Sequence, residues 1–228
     1  KLNMKDNKYY RDEVPENNPT FEVDRRDFVK LLGGGLFIYF QLGEFLTGVA
    51  AEAEQRRSVP TDYNAFLHIG EDGTVTCLIG KIEMGQGIIT SFPQMIADEL
   101  DTPLESVKMV MGDTELCPYD AGTWGSLSTR VLGPAMLAAV AEARAVLLSL
   151  GAEYLEVAPE ELAIENGVIF IKSKKNKKVS FGQLTKGKKI EKYLEVKPKA
   201  KDFSEYKIRG KSFKHVDGIG KVKGEAMY

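Results

Sequence analysis

The chain has 228 residues, 43% hydrophobic and 28% charged, enough to bury one core or a core with an appended lobe. A net charge of -2 excludes the basic character that a nucleic-acid binder needs, so no nucleic-acid partner is expected. Two cysteines (Cys77, Cys117) and two histidines (His68, His215) are too few for a disulfide scaffold, a cysteine-ligated cluster or a zinc or iron site held by side chains. A redox metal would have to arrive inside an organic cofactor or on another polypeptide.

Residues 1–23 are polar, carry Pro15 and Pro19, and read as an extended arm. Arg25 and Arg26, followed by Phe28, Lys30 and an apolar stretch over 31–42, read as an export signal of the twin-arginine kind, and residues 49–53 offer the small side chains that a signal peptidase reads. The alternative is an amphipathic or buried helix starting at Asp24, with Asp27 favourable in its first turn. A signal-like helix retained as a packed part of the protein satisfies both, and residues 24–58 are set apart as this segment and its charged linker.

Residues 66–69 and 75–79 alternate around a Gly-Glu-Asp-Gly turn and predict a β-hairpin, with His68 on the surface and Cys77 in the core. A disulfide between Cys77 and Cys117 is chemically open to an exported protein. Ile88, Phe92, Met95, Ile96 and Leu100 share one face of a helix, and Pro93 must lie in its first turn or bend it. Thr102 and Glu105 stand at capping-box spacing with Pro103 at a first helical position, and residues 107–112 alternate as a strand. After a loop rich in Gly, Pro and Asp, the almost wholly apolar run 134–150 predicts a helix buried on most sides. A second hairpin turns at Asn166 and Gly167, and the lysines of 172–178 read as its solvated edge or as a docking face for an acidic cytochrome or an anionic membrane. Strands and helices mix without regular βαβ alternation, which predicts the α+β class.

Two stretches carry chemistry. In "EMGQG", Gly85 and Gly87 flank Gln86 at a strand-to-helix junction, where backbone N–H groups can approach a flat or anionic ligand and an amide can both donate and accept. The alternative is a tight turn with a helix cap. In "GTWGSLSTR", Thr123, Ser126, Ser128, Thr129 and Arg130 precede the long apolar helix and make an anion site suited to phosphate, or an over-supplied helix cap. The first reading of both gains weight if the long helix brings them to one ligand.

The segments "RRDFVKLLGGG", "FLHIGEDGTVTCLIGKIEMGQGIITSFPQMIADEL", "GTWGSLSTR" and "ENGVIFI", in this order, resemble the N-terminal part of the large molybdopterin-binding subunits of the xanthine dehydrogenase/aldehyde oxidase superfamily. The nearest branch is the exported one with isoquinoline 1-oxidoreductase beta subunits and membrane-associated aldehyde dehydrogenases, and the likeness covers residues 24–228. It implies an α+β molybdenum-cofactor-binding domain over 59–200, with a mixed sheet and a long buried helix, incomplete in this chain and followed by a connection over 201–228. It also implies that Gly85, Gln86, Gly87 and Thr90 line the pterin. Ser126, Ser128, Thr129 and Arg130 would lie along the pyrophosphate or nucleotide of a molybdopterin cytosine dinucleotide carrying molybdenum. Trp124 and Leu127 depart from the small residues usual in the second loop.

The activity so implied is oxidative hydroxylation of a small-molecule aldehyde or N-heterocycle, with water as oxygen source. The base glutamate of relatives belongs to a C-terminal half absent here, so no catalytic or metal-binding residue is assigned to this chain, and Glu83 reads as structural. Implied partners are the remainder of the molybdenum subunit, a [2Fe-2S] subunit and a c-type cytochrome carrying haem c. The implied location is the periplasm, extending to peripheral membrane association. The rival readings are a non-catalytic scaffold subunit of such a complex and an exported phosphate- or nucleotide-binding module.

Overall fold

Two sheets are joined through one apolar helix in the computed structural model, which describes residues 34–40, 65–117, 120, 122–193 and 199–226. The strands are β1 (Gly35–Phe40), β2 (Ala65–Gly70), β3 (Val75–Ile79), β4 (Val107–Met111), β5 (Leu162–Glu165), β6 (Val168–Ile171), β7 (Lys174–Ser180) and β8 (Lys189–Tyr193). The larger sheet runs β4-β3-β2-β1-β8, with the outer pairs β3/β4 and β1/β8 parallel and the inner pairs antiparallel. The smaller sheet, β5-β6-β7, is antiparallel. This is the mixed α+β arrangement expected.

The expected β2–β3 hairpin forms, with His68 opposite Thr76 and Leu67 opposite Cys77. His68 is a correction: it is 6% exposed, stacks on Phe37 at 4.4 Å between ring centroids, and its Nε2 donates to the Gly34 carbonyl at 3.2 Å. The outward face of β2 is therefore covered, which alternation along β2 alone does not reveal. Burial lowers the pKa of its imidazole, against the opposing pulls of Gly34 and Asp72.

A second correction concerns the apolar stretch expected to be helical. Residues 35–40 form β1, inserted between β2 and β8, with Leu36, Phe37 and Ile38 fully buried. A short run of aromatic and β-branched residues is buried on both faces of a central strand, a pattern that periodicity cannot separate from a buried helix. Where it is described, the 24–58 segment is thus part of the main sheet. The arm, Arg25 and Arg26, and residues 41–58 lie outside the described residues.

The helix α1 (Ile88–Leu100) buries Ile88, Phe92, Ile96 and Leu100 on the sheet, with Pro93 inside it. Its length and face match the expected spacing. The capping box at Thr102 does not form: Leu104–Ser106 is a single 3-10 turn capped by Pro103, and Thr102 Oγ1 pairs with Ser106 Oγ at 2.9 Å. One turn leading straight into β4 leaves no helix for Glu105 to cap.

A π-turn at Ser128–Leu132 leads into α2 (Gly133–Leu155), whose small side chains bury it against α1, the large sheet and the small one. Among the described residues this is the one helix long and apolar enough to cross a membrane, yet its apolarity is used in the core. Gly133 lies against Met95, and Arg144 against Glu99 at 3.8 Å, so α1 and α2 run in the same direction with their N-termini at one end. Asn166 and Gly167 adopt positive φ in the β5–β6 turn, as expected. The lysines of β7 are exposed on the outer strand of the small sheet. The short α3 (Phe181–Thr185) carries a Ser180–Gln183 capping box, and α4 (Gly218–Lys223) closes the described chain. Cys77 is buried and Cys117 half-buried, and both are free thiols. Burial pushes the Cys77 thiol up to about 12.

Candidate functional site

The parallel course of α1 and α2 puts the two glycine-containing loops at the same end of the molecule. They are joined directly, because the Lys81 ammonium donates to Asp120 Oδ1 and to the Gly122 carbonyl, each at 2.6 Å. The Ile82 amide also donates to Thr123 Oγ1 at 2.9 Å. Lys81 and Asp120 are nearly buried, so this joint is an internal ion pair.

In the first loop, Gly85 and Gly87 have φ of 100° and 84°, which side chains with a Cβ adopt only with strain. The expected free amides are not free. Glu83 Oε1 accepts from the Gly85 and Gly87 amides at 2.7 and 2.9 Å, and Oε2 accepts from the Ile89 amide at 2.9 Å. Glu83 thereby fills the anion seat at the start of α1 and supplies the cap that Gly87 cannot. Gln86 closes the same loop: its Oε1 accepts from Met84 N at 2.6 Å and its Nε2 donates to the Ile82 carbonyl at 2.9 Å. One amide hydrogen and one lone pair of Gln86 remain. Above Gly85 a Cβ would meet nothing within 4 Å, so this face is open, whereas above Gly87 it would meet His215. Thr90 Oγ1 accepts from the Val216 amide at 3.0 Å.

The second loop is different in kind. Ser126 (φ 55°), Thr129 and Arg130 are exposed at the π-turn before α2, and among the described residues their side chains make no hydrogen bond or ion pair. Ser128, expected beside them, is buried. Trp124 is 63% exposed and folds over Gly122; with the exposed Ile82 and Met84 it lends both loops apolar surface. The structure therefore brings the two loops together, leaves the hydroxyls and guanidinium of one unpartnered, and commits most polar groups of the other.

Three features escaped sequence reasoning. The Lys81–Asp120 joint spans 39 positions and has no local signal. The last turn of α1 holds the segment after 199: Asp98 accepts from the backbone amides of Lys207, Ile208 and Arg209, Glu99 accepts from the Lys201 amide, and Asp101 pairs with the ammonium groups of Lys201 and Lys207. The third feature, His215 over Gly87, follows from that docking. The "ADEL" carboxylates in an otherwise apolar helix were the available signal for this clamp.

Residues 13–224 match the sequence pattern of the family described as "Molybdopterin cofactor-binding domain". A nicotinate dehydrogenase chain of Pseudomonas putida is 31% identical over 215 residues, 92% of this chain and 18% of that protein. The carbon monoxide dehydrogenase large chain of Hydrogenophaga pseudoflava is 38% identical over 96 residues, 42% of this chain and 12% of that protein. Among solved structures, reconstituted CO dehydrogenase from Oligotropha carboxidovorans aligns at 31% identity over 53% of this chain and 15% of its own, with a TM-score of 0.47. The chain spans less than a fifth of the length of these curated relatives.

Proposed function

The chain belongs to the family of molybdopterin cofactor-binding domains, and on that premise we propose that it supplies part of the cradle for a molybdopterin cytosine dinucleotide. The parent enzyme is a molybdenum hydroxylase that oxidises aldehydes or N-heterocycles with water as the source of oxygen. The nicotinate dehydrogenase relative favours the heterocyclic class.

The donor set fits such a group at its anionic end. Ser126, Thr129 and Arg130 offer two hydroxyls and a guanidinium, exposed and unpartnered, which suits a diphosphate. The first loop fits as a wall: Gly85 presents bare backbone with open space above it, and Gln86 keeps one donor and one acceptor for a heterocycle edge. When bound, the molybdenum centre supplies the oxidation chemistry. This chain's residues bind and orient: Arg130 neutralises the diphosphate, Gly85 lets a flat ring approach, and the Lys81–Asp120 joint keeps the two ends in register. The observation that carries this reading is that joint, which makes two separate glycine loops one surface.

The other chains in the proposal are the remainder of the molybdenum subunit, a [2Fe-2S] subunit and a c-type cytochrome with haem c. A periplasmic location rests on Arg25 and Arg26. The pairing of β1 on both sides supports a mature N-terminus before Gly34 in an exported form, rather than cleavage at the small residues of 49–53, and mass spectrometry of the purified protein tests this.

Elemental analysis of the purified complex together with acid-released nucleotide tests the main reading. Molybdenum accompanied by cytidine nucleotide is expected. Phosphate ligand without molybdenum points to a nucleotide-binding module, and neither group points to a scaffold, as the internally satisfied Glu83 loop would allow.

A further inference from the structure

With the Gly85 and Gly87 amides taken by Glu83, little of the first loop's own polarity is left for a ligand. The segment from 199 onward adds to it. That segment is anchored at the last turn of α1 by Asp98, Glu99 and Asp101 and runs back to the first turn, where the Val216 amide meets Thr90 Oγ1. It delivers an imidazole: a Cβ on Gly87 would lie 2.7 Å from His215 Nε2. His215 Nδ1 pairs with Asp217 Oδ1 at 2.5 Å, and Lys221 holds the other Asp217 oxygen. Lys221 first, then His215, hold the Asp217 carboxyl down to about 2, so it is an ionised acceptor and Nδ1 carries the proton. Nε2 is the nitrogen left over, and among the described residues it has no partner. It stands over Gly87, two residues along from the open backbone of Gly85, and is half-exposed.

We infer that His215, oriented by Asp217, is a ligand-binding residue of this site, its Nε2 hydrogen-bonding the polar edge of the heterocycle that lies over Gly85. The inference rests on the cofactor reading above and adds to it a side chain carried by a segment more than 120 residues beyond the loop it serves. The orientation is chemically sensible, because a carboxylate on Nδ1 selects the tautomer in which Nε2 is an acceptor, matched to the amide and ring N–H groups of a pterin-like edge.

The test uses the purified complex carrying His215→Ala, with molybdenum and cytidine nucleotide counted per polypeptide and the melting temperature measured after cofactor removal. Retention after dilution should fall about tenfold, the equivalent of one hydrogen bond, at an unchanged melting temperature. Full cofactor content in His215→Ala overturns the inference while leaving the cofactor reading intact. A wild-type complex without molybdenum overturns the cofactor reading and the inference with it. Should the alanine variant also melt lower, the wild type decides. Residues 1–228 hold only two histidines, so 15N-histidine labelling confined to this stretch of the assembled complex yields two imidazoles. A His215 Nε2 resonance that differs between loaded and cofactor-free complexes, with His68 unmoved, supports the inference, and an unmoved His215 resonance overturns it.

Discussion

The carboxylate of Glu83 accepts from three backbone amides within six residues, and this sets its titration as well as the loop's shape. Burial pushes its pKa up, but the Ile89, Gly87 and Gly85 amides outweigh burial and leave it below its ordinary 4.5. A depressed carboxyl contributes stability that is present above the unfolded pKa and lost as pH falls through the folded one. Urea unfolding between pH 7 and pH 3 should therefore show stability declining below about pH 4.5, with a flatter profile in Glu83→Gln. Glu83→Ala should cost about 1–2 kcal/mol at pH 7, the scale of a lost helix cap. Gln86→Ala removes both loop closures and the remaining amide edge, so cofactor retention should drop while the melting temperature moves by only a few degrees. Glu83 was legible as structural because a carboxylate just before a helix start has an obvious local use. His68 was misread because its burial depends on Phe37 in another strand.

Between elements, the joints are ionic and nearly dry. Lys81→Met leaves Asp120, 4% exposed at its side chain, without its counter-ion, and should cost about 3 kcal/mol. Hydrogen exchange at the Ile82 amide should accelerate in the same variant, because the Thr123 contact depends on that joint. At the far end of α1, burial raises the Asp98 pKa, but the amides of Arg209, Lys207 and Ile208, together with the Arg209 guanidinium, outweigh it and lower the pKa. Asp98→Ala removes an acceptor from four donors and should release residues 199–217 to proteolysis with α1 still folded, readable as a limited-digestion fragment. The helices and both hairpins were legible because 3.6- and 2-residue periods and an Asn-Gly turn are local signals. The capping box failed because its residues serve a one-turn connection that packing against β4 ends at once.

For the molecule as a whole, β1 is the strand that makes the large sheet continuous, since both β2 and β8 pair with it. Removing residues 1–58 takes Leu36, Phe37 and Ile38 out of the core, and the truncated protein should lose cooperative thermal unfolding in circular dichroism. The core of α2 makes the complementary point: small side chains let one helix bury itself between α1 and two sheets, so its apolar length was plain in the chain while its neighbours were not. The sequence by itself determined the motifs, the ordered likeness to a cofactor-binding family, the two hairpins and the two long helices, because each depends on residues within a few positions of one another. Tertiary structure alone decided that 35–40 is a strand, that the glycine-loop amides are already held by Glu83, and that His215 reaches Gly87. Those outcomes turn on which distant surfaces bury each other, and a backbone amide or a charge finds its partner only after that burial is complete.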